Sequence, residues 1–257
     1  MSSARNMIAL KSILHKEVHR FMRIWVQTLV PPAITISLYF VIFGELIGSR
    51  IGQMGGFDYM SFIVPGLIMM SVITNSYSNV ASSFFSAKWQ RNVEEMLVAP
   101  VPNWVIVAGY VGGGKWRGIL VGCIVTLISL LFTEIQVHNV WIIIVTVALT
   151  SATFALGGLI NAIFAGSFDD ISIIPTFILT PLTYLGGVFY SITLLPDFWQ
   201  GVSQVNPIVY MVNAFRYGFL GISDVSLYAA FTVLAGFIIT LFVIAMTLIT
   251  KGIGLRS

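Results

Sequence analysis

Charge is what this chain has least of. Asp, Glu, Lys and Arg make up 9% of its 257 residues, where a soluble domain carries about a quarter. With 57% hydrophobic residues and a mean hydropathy of +0.94, that scarcity excludes a water-soluble globule. The single cysteine, Cys123, excludes an intrachain disulfide. Of the three histidines, His15 and His19 stand four apart beside Lys16 and Arg20, a pattern that suits a headgroup-facing surface better than a metal site. No H-E-x-x-H, C-x-x-C or G-x-S-x-G motif occurs, so no catalytic constellation is on offer. The apolar runs also lack Asp, Glu and His near their centres, which speaks against a proton- or ion-coupled carrier, because such carriers keep titratable groups there. The stretch 109–115, GYVGGGK, matches the first part of a phosphate-binding loop, but Trp116 follows where the motif needs Ser or Thr to hold magnesium. An energy source within this chain is not expected.

What the chain has in abundance is uncharged length. The runs are too long for barrel strands of roughly 10 alternating residues, so the expected class is all-α integral membrane. Six spans are expected, at 24–43, 59–85, 115–135, 140–163, 171–190 and 225–250, as one membrane domain over 1–257. Residues 5–23 interleave Leu10, Ile13, Leu14 and Phe21 with Arg and Lys, which predicts an amphipathic helix in the interface. Pro31–Pro32 implies a kink in the first span. The third span reaches full length only if Lys115 and Arg117 snorkel to water. In the second span Asn75, Tyr77 and Asn79, with several serines and Thr74, form a polar ladder. Either it bonds neighbouring helices or it lines a translocation route. Gly158, Ala162 and Gly166 suit close helix contact, and Ser167 with Asp170 resembles a capping box. Segment 88–99 reads as a short helix outside the membrane, stopped by Pro100 and Pro102, with Arg91 and Glu95 at the spacing of an ion pair.

The region 171–216 is unusual. Its first 26 residues carry no charge, enough to span, yet they contain Pro175, Pro181, Gly186, Gly187 and Pro196, with Pro207 beyond. Broken backbone at membrane depth survives only inside protein or against a cavity. Two readings stand: a crossing followed by short re-entrant or extracytoplasmic helices over 191–216, or a kinked helix with a loop resting on the bilayer. With the N-terminus inside, all but Arg50 and Arg216 of the 13 basic residues fall on cytoplasmic segments, Arg256 in the tail included. By the positive-inside rule both termini are then cytoplasmic.

Pro175, Pro181, Gly186–Gly187, Phe189, Leu195–Pro196, Asn206–Pro207 and Arg216 resemble the signature of the ABC-2 family of ABC transporter permeases. FIVPGLIMMSV and NVEEMLVAPVP extend the resemblance over the whole chain. It implies a bacterial inner-membrane export permease that works as a homodimer with a separate cytoplasmic ABC ATPase, in contact with lipid and with no nucleic-acid partner. ATP and Mg would be bound by that ATPase, and no cofactor by this chain. The N-terminal helix would be the elbow before the first span. Segment 88–97 would be the coupling helix, comprising Lys88, Trp89, Arg91, Val93, Glu94, Glu95, Met96 and Leu97. Its Glu94–Glu95 pair would meet positive side chains of the ATPase, and Trp89, Val93, Met96 and Leu97 would divide between partner and membrane interface. Pro175, Pro181, Gly186, Gly187, Phe189, Pro196, Pro207 and Arg216 would build the outer gate. Asn75, Tyr77, Asn79 and Tyr184 are the pathway candidates. An amphipathic, lipidic or polysaccharide-type substrate is implied, and a passive channel or membrane scaffold is the alternative.

Overall fold

A computed structural model describes residues 3–255; Arg256 and Ser257 of the expected tail lie outside the described residues. Helix α1 (Ser3–Arg23) has no Gly or Pro in its interior and buries Glu17 and Phe21. It is followed after one residue by α2 (Trp25–Ile51). Pro31 and Pro32 lie inside α2, and its C-terminal part, Phe40–Ile47, widens to π geometry. A two-strand hairpin, Gln53–Met54 with Phe57–Asp58, turns through Gly55 and Gly56. Both have positive φ, as a tight two-residue hairpin requires.

Helix α3 (Tyr59–Trp89) is the axis of the molecule. Asp58 caps it by accepting from the Met60 N–H at 3.1 Å. Its 31 residues make a rod about 46 Å long, packed mainly against α5 (Asn103–Ser129) and α6 (Val140–Phe164). Between α3 and α5 comes the short α4 (Asn92–Val98), ended by extended Ala99 ahead of Pro100. Asn139 caps α6 through the Trp141 and Ile142 N–H groups. Gly158 lies against the Tyr77 carbonyl, while Gly166 falls beyond the helix. The Ser167–Asp170 box forms reciprocally, and the Gly166 N–H above all holds the Asp170 carboxyl below the usual carboxylate range.

Helix α7 (170–184) is built from three short pieces, with a π turn over Pro175–Leu179. Then come α8 (Asp197–Val205), α9 (Pro207–Leu220) and α10 (Leu227–Lys251). Two apolar clusters run along α3. One surrounds its N-terminal half, with Phe62, Leu67, Ile208 and Phe215. The other surrounds its C-terminal half, with Phe84, Phe85, Tyr110 and Leu159.

Two expected spans need correction. The third, expected at 115–135, is a helix over Asn103–Ser129, because its glycine-rich first half is shielded by α1 rather than left in water. Ile13, Leu14 and Glu17 lie against Gly109, Gly112 and Gly113, each where a Cβ would collide. The segment that imitates a phosphate loop is therefore helical throughout and serves as the seat of α1. The fifth, expected at 171–190, is helical only over 170–184, about 22 Å against roughly 30 Å of hydrocarbon. Among the described residues, five helices are long and apolar enough to cross a membrane: α2, α3, α5, α6 and α10.

Candidate functional site

At the C-terminal end of α3, the expected coupling helix divides. Lys88 and Trp89 belong to α3 itself, and the chain turns through Arg91 at φ 62 before α4 begins. Lys88 is spent inside the protein: its Nζ donates to the Ile163 and Ala165 carbonyls at 2.7 and 2.8 Å, closing the C-terminus of α6. Val93 is in the core, and Met96 and Leu97 pack on the same cluster. These three do not divide between partner and membrane interface, because α4 uses that side to lie on the bundle. Arg91 and Glu95 form no ion pair; among the described residues the one ion pair is Arg20–Glu17. Trp89, Arg91, Glu94, Glu95 and Val98 remain exposed. Of these, Trp89, Arg91 and Glu94 border a cavity of about 400 Å³ between α4 and the 254–255 segment.

At the N-terminal end of α3, the breakers form a clasp. Pro175 and Pro181 divide α7, and the chain then turns at Gly186–Gly187, where Gly187 has φ +72. Arg216, counted above as an outer basic residue, is 1% exposed. Its Nη2 donates to the Gly187 carbonyl at 2.6 Å, its Nε to the Phe62 carbonyl at 3.4 Å, and its guanidinium lies 4.0 Å from the Phe62 ring centroid. Phe189 stacks among Phe43, Tyr39 and Tyr184, and its carbonyl accepts from the Tyr59 hydroxyl at 3.0 Å. Pro196 precedes α8 and Pro207 opens α9. Asn206 between them caps α9 and donates to the Leu182 carbonyl at 2.6 Å.

The pathway candidates separate. Tyr77 and Asn79 are buried inside the bundle at 2% and 0%, which is the packing reading. Asn75 borders a groove of about 320 Å³ between α2 and α3, together with Gln27, Thr35, Tyr39, Thr74 and Arg117. Tyr184 meets Tyr39 hydroxyl to hydroxyl at 3.2 Å, joining α7 to the wall of that groove. Sequence reasoning missed Tyr39 and Arg117. Arg117 had been assigned to the cytoplasmic edge; it stands one residue from the midpoint of α5, as Asn75 does in α3. Reading a helix from Asn103, directly after Pro102, would have revealed it.

The N-terminal helix is more than an interfacial element. Glu17 is fully buried, accepts from the Ser83 hydroxyl at 2.7 Å and pairs with Arg20 at 3.5 Å. Arg20 in turn donates to Asn79 Oδ1 at 2.8 Å.

Long apolar helices and a mid-helix polar groove suit a membrane transport component, and comparison with known proteins agrees. Residues 8–220 match the family described as ABC-2 type transporter. The chain belongs to that family. The permease is 67% identical over 250 residues to the "Inner membrane transport permease YadH" of Escherichia coli K12, covering 97% of this chain and 98% of the relative. The protein of the same name from Shigella flexneri matches equally. More distant is "Nodulation protein J" of Rhizobium leguminosarum bv. trifolii, 24% identical over 185 residues, 72% of this chain and 71% of the relative. The broken 175–216 region lies within the matched family segment, so the permease carries its breakers where the family model continues.

Proposed function

We propose that the permease is the membrane subunit of an ATP-driven exporter of the inner membrane, working as a homodimer with a separate ATPase that holds ATP and Mg. Both termini are then cytoplasmic. The fifth of six crossings is α7, completed by the buried turn at 185–189, with α8 and α9 as short outer helices. The moving parts are named by what α3 touches. The supporting observation is that one rigid helix carries all three regions: α4 at its inner end, Asn75 and the groove at its middle, Tyr59 and Phe62 against the outer clasp. A push on α4 by the ATPase would tilt α3, shift the groove walls and load the Tyr59–Phe189 and Phe62–Arg216 contacts together. Glu94 and Glu95, exposed in the first turn of α4, are the contacts offered to a basic surface, with Val98 beside them at 87% exposed. The Tyr39–Tyr184 pair closes the outer end of the route.

The test is the double variant Glu94→Lys, Glu95→Lys. Neither side chain supports the bundle, so insertion and dimer yield should match the parent, while pull-down of the ATPase and transport-linked ATP hydrolysis should be lost. Unchanged binding and turnover would remove the docking role and leave a passive channel or scaffold.

A further inference from the structure

Two arginines bond to asparagines one helical turn apart on α3, with different balance. Arg20 reaches Asn79 and is neutralised by Glu17. Arg117 donates through Nη2 to Asn75 Oδ1 at 3.1 Å, and its Nε has no hydrogen-bond partner. Among the described residues no carboxylate lies within ion-pair distance of it. One acid thus stands against two guanidinium groups. A guanidinium does not give up its proton, so Arg117 can neither neutralise itself nor serve a proton relay. Its place near the middle of α5 also keeps it from extending to a membrane face, as a terminal Lys would. An ionised side chain inside a membrane bundle points to a functional partner of opposite charge.

The groove that Arg117 enters is lined for such a partner. Gln27, Thr35, Thr74 and the Tyr39 hydroxyl add neutral hydrogen-bonding groups, and no acidic residue lines it. Its charge is therefore positive, and Pro31, Ile36 and Met70 give it an apolar wall beside the Tyr39 ring. We propose that this groove recognises the anionic headgroup, phosphate or carboxylate, of an amphiphile, with Arg117 as the recognition group and Asn75 holding the guanidinium in place. The inference rests on the export reading only in taking the groove as the route of the transported molecule; recognition itself needs no ATPase.

The test uses the full-length permease purified in neutral detergent, without ATPase, and two fluorescent probes of equal chain length, an alkyl phosphate and an alkyl glucoside. The phosphate probe should bind about tenfold more tightly, the scale of one charge-assisted hydrogen-bond set. Arg117→Gln should bring the two probes to equal affinity, and Arg117→Lys should keep the phosphate ahead. Lys115→Gln should change nothing, because Lys115 faces a different, apolar cavity. Thr74→Trp, from an exposed position on the groove, should remove the difference with Arg117 intact, which keeps the idea testable should Arg117→Gln not fold. A phosphate advantage that persists in a monodisperse Arg117→Gln protein, or equal affinities in the parent, would overturn the proposal. Displacement of the phosphate probe by an equal concentration of inorganic phosphate would overturn its amphiphile part. Failure of ATPase coupling through α4 would leave these affinities untouched, so the two readings fail separately.

Discussion

Arg216 shows what a single side chain does for the outer clasp. A lysine could offer a charge, but only a planar fork reaches carbonyls on two elements while lying on an aromatic face. It ties the Gly187 turn to Phe62 of α3 from a position on α9. Replacing it with Met should lower the stability of the purified permease by about 1.5–3 kcal/mol, the scale of a hydrogen bond to a charged group, with Arg216→Lys recovering only part. A melting curve in detergent identical to the parent's would show that the clasp carries no stability. The glycines it holds test the gate itself. Gly187 needs its left-handed backbone, which costs a side-chain-bearing residue about 1–2 kcal/mol. A Cβ on Gly186 would come 2.7 Å from the Ile208 methyl. With both changed to Leu, dimer yield and ATPase binding should survive and transport should stop. Normal transport removes the gate, and loss of the dimer leaves the pair a packing role only. The sequence exposed the breakers, since Pro and Gly are visible in any apolar run. It did not expose what holds them, because the partner lies 29 residues on and looked like an outer-loop cation.

At the scale of elements, what hydropathy could and could not reveal follows from burial. The helices α6 and α10 begin and end close to where their uncharged runs do, whereas α2 begins with its run but continues past Glu45 and Arg50 to Ile51, beyond the expected end at 43. Helix α5 does not, because its first half is glycine-rich and carries Lys115 and Arg117, features that read as a loop until α1 is laid over them. The seat is specific: Glu17 sits on Gly113 and reaches Ser83 of α3. Amphipathic patterning announced α1 as interfacial, but a carboxylate buried beneath it has no signature in a helical wheel otherwise rich in Lys and Arg. Glu17→Ala should therefore free α1 from α5, leaving Arg20 short of its counter-charge. Amide exchange over α1 should quicken while α3 stays protected, and Glu17→Gln, which keeps the Ser83 contact, should fall between. Equal exchange in all three proteins would mean that Ile13 and Leu14 alone hold the helix. In α7 the converse error arises: charge-free length overstated the helix, because the Gly186–Gly187 turn ends it after 15 residues.

For the whole molecule, the decisive question is whether α7 crosses. Among the described residues five helices are long enough to span without it, and an odd number of crossings would place the 251–255 segment on the opposite side from the N-terminus. With the broken crossing, α8 and α9 lie outside and the C-terminal segment returns to the cytoplasm, in keeping with its basic Lys251. Residue exposure fixes where to ask. Ser49 and Arg50 stand at the outer end of α2, Val205 at the end of α8 is 84% exposed, and Val98 on α4 is 87% exposed. In a Cys123→Ser background, cysteines at Ser49 and Val205 should react with a membrane-impermeant thiol reagent added to intact cells. Cysteines at Val98 and Ile253 should react only once the membrane is opened. Both outer sites being shielded with both inner sites labelled would invert the whole orientation. Val205 shielded while Ser49 reacts would mean that α7 turns back without crossing. In that case the Phe189–Tyr59 and Arg216–Phe62 contacts could not form, because Tyr59 and Phe62 lie at the Ser49 end of α3, and α3 would have no clasp to move. The labelling pattern thus tests the lever as directly as it tests the topology.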